Sequence, residues 1–291
     1  MVDEVLGQGT HARVGADAGA ERALFDMATR RLAGEPLQYV LGSWAFRTVE
    51  LQVDPRALIP RPETEQVVEV ALGEARRQLR RAQTGGAQLR RAQTGGPQLR
   101  RAQTGGVPFR VADLGTVSGA IALSIAVELG RDVPQLQVAA TDTDPSAIEL
   151  ASANRLRVSG RHPHVGPQVE LRRGSWFDAL AATWRGRVHL VVSNPPYVSE
   201  DEWPSLDPQV RREPYGALVA MAGSDGTPGF AAVEAVLEGA HGWLAPGGAV
   251  VVEMAPHHAR PALDLAGRVG YRDARVEPDL TGRARALVAL R

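Results

Sequence analysis

Four consecutive residues carry the most chemistry in this chain. Asn194-Pro195-Pro196-Tyr197 directly follows the apolar run Val188-His189-Leu190-Val191-Val192-Ser193. A buried strand that ends this way holds its last polar side chain at a fixed point. The two prolines fix the backbone beyond it and remove two N–H donors. What is left to face a pocket is mostly acceptor: the Asn194 side-chain oxygen and the Pro195 carbonyl, with the Tyr197 ring as a flat packing face. Such a set suits a planar NH2 group, in an amide or an exocyclic amine, because that group donates two hydrogen bonds. The plainer account of the same residues is a strand-terminating turn, since proline commonly ends strands.

A second constellation lies upstream. Asp113-Leu114-Gly115-Thr116-Val117-Ser118-Gly119 ends one apolar run and opens a helical pattern. A glycine-bearing turn at that place lets the backbone approach a ligand closely. The next apolar run ends in Asp142, where an acid can accept hydrogen bonds from both hydroxyls of a ribose. Its alternatives are a solvated turn residue or the cap of the following helix. Trp176 and Phe177, after Ser175, could sandwich an adenine or belong to the core. No phosphate-binding lysine of the P-loop kind is present, so the pattern suits a nucleoside carrying something other than a triphosphate.

The order of elements says how these residues are positioned. Apolar runs predict strands over 109–114, 137–141, 169–172, 188–193 and 248–253, the last introduced by Ala245-Pro246-Gly247-Gly248. Helical spacing predicts helices over 120–129, 146–159, 230–240 and 261–270, and 274–277 with 284–290 reads as a closing antiparallel pair. Alternating strands and helices imply an α/β fold with a parallel sheet covered on both faces. Ligands in such sheets bind beyond the carboxyl ends of the strands, where Asn194 lies. Upstream, 20–32 reads as a helix stopped by Gly34, and 39–53 as short β pieces with Trp44 and Phe46. Leu58-Ile59-Pro60-Arg61-Pro62-Glu63-Thr64-Glu65 then leads into a helix over 64–78, whose N-terminus Glu63 or Thr64 can serve.

Residues 79–106 repeat themselves. Leu79-Arg80-Arg81-Ala82-Gln83-Thr84-Gly85-Gly86 recurs from Leu89 and again from Leu99. The period is shorter than the roughly 20 residues or more of solenoid units, and one large apolar residue per unit builds no core. It reads as an inserted, flexible, basic linker that extends the preceding helix before the first Gly-Gly. Contact with nucleic acid through its arginine pairs is the alternative, against the general rule that charge runs are solvated. The chain thus divides into an N-terminal helical region at 1–40, a connecting hairpin and helix at 41–78, the repeat at 79–106, and a sheet domain at 107–291.

Composition narrows the classes. The 33 basic and 33 acidic residues cancel, so a whole-protein nucleic-acid signature is absent, although a local basic patch is not excluded. The lack of cysteine rules out disulfides and thiolate metal sites and fits a reducing, cytoplasmic setting. No apolar stretch has the length to span a bilayer. Met1-Val2-Asp3-Glu4 lacks the basic and apolar regions of a secretory signal. His257 and His258 have no partner acid at metal-binding spacing, so no metal is expected. His189, in mid-strand, reads as structural.

Together Asp113-Leu114-Gly115-Thr116, Asp142, Trp176-Phe177 and Asn194-Pro195-Pro196-Tyr197 resemble the class I S-adenosylmethionine-dependent methyltransferases. Three further stretches narrow the resemblance: 58–65, Pro36-Leu37-Gln38-Tyr39-Val40-Leu41-Gly42, and Arg212-Glu213-Pro214 with Ala217-Leu218. With these, the chain from about residue 20 onward, the repeat excepted, is similar to the bacterial peptide chain release factor glutamine methyltransferases. The resemblance implies a Rossmann-like sheet with helices on both faces, behind a small, shortened N-terminal helical region. It implies S-adenosylmethionine as cofactor and class 1 release factors as partners, methylated on the side-chain amide nitrogen of the glutamine in their Gly-Gly-Gln loop. Cofactor contacts would come from Asp113, Gly115, Thr116, Val117, Ser118 and Gly119 in the turn, and from Asp142, Trp176, Phe177 and Asn194. Asn194, Pro195, Pro196 and Tyr197 would hold the glutamine.

The chain departs from that family at four places. Val117 stands where glycine is usual, Ser175 where an acidic residue is common, and Glu253-Met254-Ala255 where a glycine is usual, and the helical region is short. A β-branched residue disfavours positive φ by about 1–2 kcal/mol, so a non-catalytic remnant with impaired cofactor binding is one rival reading. The other is an adenine or guanine amino-methyltransferase acting on a flipped base. Neutral charge and the lack of an added recognition domain argue against it, and the basic repeat argues for it. Under the leading reading the protein's task is alignment, because an amide nitrogen is a poor nucleophile. Asn194 and the Pro195 carbonyl would accept the two amide hydrogens and turn the lone pair toward the methyl carbon, with Tyr197 packed on the amide plane. Positioning of this kind supplies roughly 7–11 kcal/mol in favourable cases. No strong base is needed, since an N-protonated amide is highly acidic.

Overall fold

The computed structural model describes residues 18–93 and 107–291. The helical spacing near the start becomes α1 (Ala18–Leu32). A short helix α2 (Leu37–Leu41) follows, then an antiparallel hairpin of β1 (Ser43–Phe46) and β2 (Val49–Gln52). The aromatic stretch from residue 39 favours extended backbone by propensity, yet its first residues close a helical turn. Tyr39 and Val40 are buried there, and the Tyr39 hydroxyl donates to the Ala57 carbonyl at 2.7 Å.

α3 (Pro62–Gln93) differs most from the sequence expectation. It starts at Pro62, where a first-turn proline loses no intrahelical bond, and continues past residue 78 through Gly85-Gly86. Apart from that glycine pair, Leu79–Gln93 is rich in helix formers. Each glycine costs about 1 kcal/mol relative to alanine, which an established helix can absorb by propagation. The remainder of the repeat, 94–106, lies outside the described residues.

The sheet domain then runs β3 (Phe109–Leu114), α4 (Ala120–Gly130), β4 (Leu136–Asp142), α5 (Pro145–Arg161), α6 (Val165–Gln168), β5 (Val169–Arg173) and β6 (Val188–Ser193). It continues with α7 (Ala231–Trp243), β7 (Leu244–Glu253), α8 (Ala259–Val269), β8 (Asp273–Pro278) and β9 (Ala284–Leu290). Every strand and helix expected between 107 and 291 is present, with boundaries shifted most at β7, which starts at Leu244. Strand order is β5-β4-β3-β6-β7-β9-β8. The first five strands are parallel, and β9 is antiparallel to both neighbours.

Successive strand residues enter opposite layers. On one face Val111, Val138, Leu190 and Val192 pack with Val67, Val68, Leu72 and Ile125 of α3 and α4, joined by Phe46 and Leu51 of the hairpin. On the other, Ala112, Val191, Val250 and Leu287 pack with Val233, Leu237, Ala262 and Leu265 of α7 and α8. Burial on both faces explains why these strands read as apolar runs. Because β4, β3 and β6 are neighbours, their carboxyl ends bring Asp142, the 115–119 turn and Asn194 together. Among the described residues no helix is long and apolar enough to cross a membrane.

Candidate active site

Three residues of the turn after β3 take left-handed backbone: Gly115 (φ 71°), Val117 (φ 54°) and Gly119 (φ 83°). Gly115 does so without penalty, and a Cβ there would stand 3.6 Å from the Trp176 ring, in the space the turn leaves open. Val117 adopts it against its own side chain. Surrounding hydrogen bonds impose the conformation. The Val117 N–H donates to Asp142 Oδ2 at 2.9 Å, and Asn154 Nδ2 donates to the Ser118 carbonyl at 2.9 Å. Beneath, Asp113 Oδ2 accepts from the Thr116 hydroxyl (2.6 Å) and from the Ala122 N–H (3.1 Å). Asp113 is wholly buried and among the described residues its Oδ1 has no partner, and burial pushes its carboxyl up to about 7.

A cavity of about 370 Å³ opens at these strand ends. Gly115, Val117, Asp142, Trp176, Asn194 and Pro196 line it, and Arg56, Ala57 and residues of the 214–217 stretch complete the lining. Asp142 is held by the N–H groups of Val117 and Asp144, the latter at 3.0 Å, while burial raises its pKa. Asp142 is not the cap of α5: that is Asp144, which accepts from the Ser146 N–H at 2.8 Å. The donor set fits an uncharged nucleoside end. An acid faces the ribose position and an indole ring borders the space. The lining arginine, Arg56, is paired with Asp54 through Nε at 2.9 Å and Nη2 at 2.7 Å.

Part of the expected site lies elsewhere. Phe177 does not reach the cavity. It is buried and stacked on Trp243, with ring centroids 5.9 Å apart, because the 3₁₀ turn at Trp176–Ala179 sends adjacent side chains apart. Trp176, with φ 39°, turns to the cavity and Phe177 to the core. Asp113, Thr116, Ser118 and Gly119 shape the turn without lining the cavity. Pro195 is buried and Tyr197 half-buried, and neither lines it. His189 is structural: its Nδ1 accepts from the Arg110 N–H at 3.1 Å and its ring stacks on Phe109.

Asn194 is held by residues that sequence spacing does not connect. Its Nδ2 donates to Thr64 Oγ1 at 3.1 Å, and Thr64 Oγ1 donates to Glu253 Oε2 at 2.7 Å. The Tyr197 hydroxyl donates to Glu253 Oε1 at 3.2 Å. Thr64 therefore does not cap α3; its hydroxyl turns to the end of β7. Glu253 is fully buried, which pushes its carboxyl up to about 7 against the Thr64 hydrogen bond and the charge of Arg285. Among the described residues the Asn194 side-chain oxygen accepts no hydrogen bond. A carboxylate closing the run Val250-Val251-Val252 was the available signal for Glu253. Glu213, also buried, accepts from the Ile59 N–H at 2.9 Å and from Arg61, fastening the stretch before Pro214 to the proline-arginine-proline segment.

A Rossmann-like sheet, a strained glycine turn, an acid ending the second strand and an Asn-Pro-Pro-Tyr after the fourth define a class I methyltransferase. Curated relatives narrow the class. The release factor glutamine methyltransferase of Deinococcus radiodurans is 34% identical over 296 residues, covering 100% of this chain and 89% of its own length. Those of Bordetella pertussis and Moorella thermoacetica are 33% and 35% identical, covering 90% of this chain and 80% and 77% of their own lengths. No family model matches. The chain belongs to the release factor glutamine methyltransferase family.

Proposed function

We propose that this protein transfers the methyl group of S-adenosylmethionine to the side-chain amide nitrogen of the glutamine in the Gly-Gly-Gln loop of class 1 release factors. The observation that carries the reading is the orientation of Asn194. Its NH2 is committed to Thr64, so the end left for a ligand is an acceptor, and a substrate NH2 is the complementary group. The relatives' names supply the glutamine and the release factor.

When bound, S-adenosylmethionine supplies a methyl group activated by its sulfonium. Asp142 would accept from its ribose hydroxyls, Trp176 would pack against its adenine, and Gly115 would let the backbone come close. Asn194 Oδ1 would accept an amide hydrogen of the glutamine and hold its nitrogen toward the methyl carbon, whereas the Pro195 carbonyl, expected as a second acceptor, belongs to a residue that does not line the cavity. The 214–217 stretch, fastened through Glu213, limits water. No residue is required to remove a proton before transfer, because the N-methylated, N-protonated amide is strongly acidic. Catalysis belongs to 107–291 with the hairpin and α3 packed on it.

Mass spectrometry of a release factor incubated with this protein and isotopically labelled S-adenosylmethionine tests the reading. Label is expected on the Gly-Gly-Gln glutamine, and Asn194→Ala is expected to lower the rate by about 100-fold or more. Transfer to that glutamine at the wild-type rate in Asn194→Ala would refute it.

A further inference from the structure

We propose that Glu253 is a positioning residue for methyl transfer, which sets, through the Thr64 hydroxyl, the end of the Asn194 amide that meets the substrate. The proposal rests on the reading that Asn194 receives a substrate NH2.

The two ends of an asparagine amide have nearly the same shape and opposite hydrogen-bonding sense, and a half-turn about the last side-chain bond exchanges them. Oxygen toward the cavity accepts from a substrate NH2, whereas nitrogen toward the cavity repels it. Nothing within Asn194 makes that choice. Its partner is a hydroxyl, which has one proton to give. Thr64 gives that proton to Glu253 Oε2 at 2.7 Å, so it offers Asn194 a lone pair, and the amide must present its NH2 inward. Glu253 is the source of this order. As a carboxylate it accepts at both oxygens, from Thr64 and from Tyr197.

Once protonated, Glu253 has to donate to one of those two hydroxyls. If it donates to Thr64, the Thr64 proton is released toward Asn194, and the amide turns its NH2 to the cavity. The charge on a buried carboxylate is thus translated into the orientation of an amide one residue removed from it. The groups facing Glu253 bear on that charge from each side. Arg285 of β9 favours the ionised form, Glu63 of α3 opposes it, and Tyr197, itself faced by Arg61 and Arg285, donates to it. Among the described residues Glu253 makes no ion pair: the Arg285 guanidinium instead donates to Asp279, at 3.3 Å. A carboxylate serving only to neutralise a neighbouring cation would be in direct contact with it.

The chain contains two asparagines, Asn154 and Asn194, so selective ¹⁵N-asparagine labelling gives two side-chain NH2 signals, assigned by loss of one in Asn194→Ala. In the wild-type protein the Asn194 signal is expected to move with pH around a midpoint near 7, and kcat for release factor methylation to fall on the acid side with the same midpoint. Glu253→Gln removes the titrating group and is expected to abolish the movement. Thr64→Val keeps the carboxylate but breaks the relay. It is expected to abolish the movement and to lower kcat by about tenfold or more, with the Kd for S-adenosylmethionine held within about threefold. Thr64→Ser, which restores the hydroxyl, is expected to recover most of that loss. An Asn194 signal indifferent to pH in the wild-type protein overturns the proposal, as does movement that persists in Thr64→Val, since a charge acting through space would do the same. A wild-type protein that leaves release factors unmethylated while its Asn194 signal titrates as stated supports the relay and rejects the assigned substrate.

Discussion

Val117 sits at φ 54°, in a turn where its two glycine neighbours take the same hand without penalty. Its side chain both strains the backbone and takes up room in the cavity. Val117→Gly removes about 1–2 kcal/mol of strain and adds about 0.5–1 kcal/mol of unfolded-chain entropy. Thermal stability should therefore rise slightly or hold. Affinity for S-adenosylmethionine should rise more clearly, because the cavity gains the volume of the side chain. Isothermal calorimetry on the two proteins decides this, and equal or weaker binding by Val117→Gly would clear the valine of obstructing the site. At this scale the sequence was most readable where a residue directly follows a strand end. Asp142 and Asn194 are fixed by the strand before them, so their neighbourhood could be inferred from order alone. Trp176 and Phe177 could not be separated, because a 3₁₀ turn sends adjacent aromatics in different directions and composition carries no trace of it.

Elements that are far apart in the chain meet over single side chains. Asn154 of α5 accepts from the Gln52 N–H at 2.6 Å and donates to the Gln52 carbonyl at 3.0 Å, while also donating to the Ser118 carbonyl. One buried amide thus clamps the hairpin to the strained turn. Asn154→Ala leaves buried backbone groups of both elements unpaired, which costs about 2–3 kcal/mol, and frees the turn that holds Val117. Denaturant titration should show the loss of stability, together with weaker cofactor binding. Full stability in that variant would mean that water replaces all three bonds. Such joints account for what the sequence did not reveal. Thr64 and Asn194 stand 130 residues apart, and Thr64 and Glu253 stand 189 apart. Periodicity reports which face of an element is buried, and it is silent about which polar residue on another element meets it. The end of α3 escaped for a local reason: Gly85-Gly86 is a strong stop signal that a helix already running through Leu79–Gln93 overrides.

For the molecule as a whole, buried carboxyls pull stability down as pH rises, against His189 and His258, whose pKa values burial lowers. Asp113 and Glu253 are each pushed up to about 7 by burial. A carboxyl whose folded pKa is raised contributes its stability in full below the unfolded value, near 4, and loses it as pH climbs through the folded value. The contribution of Asp113 and Glu253 should therefore fall away between about pH 4 and pH 7, and Asp113→Asn should remove its share of that loss, read as a flatter fall or a steeper rise of the melting temperature than in the wild-type protein. A melting temperature with the same pH dependence in Asp113→Asn as in the wild-type protein would contradict the assignment. Of these two ionisations, under the proposed relay that of Glu253 also readies Asn194, so its contributions to activity and to stability should run in opposite directions across neutrality. The strand order has a separate consequence for solubility. The outermost strands, β5 and β8, carry Glu170, Arg172 and Arg173 on one rim and Asp273, Arg275, Glu277 and Pro278 on the other. Charges and a proline at both rims deny a foreign strand an apolar template, so the sheet resists the edge-to-edge growth that leads to fibrils.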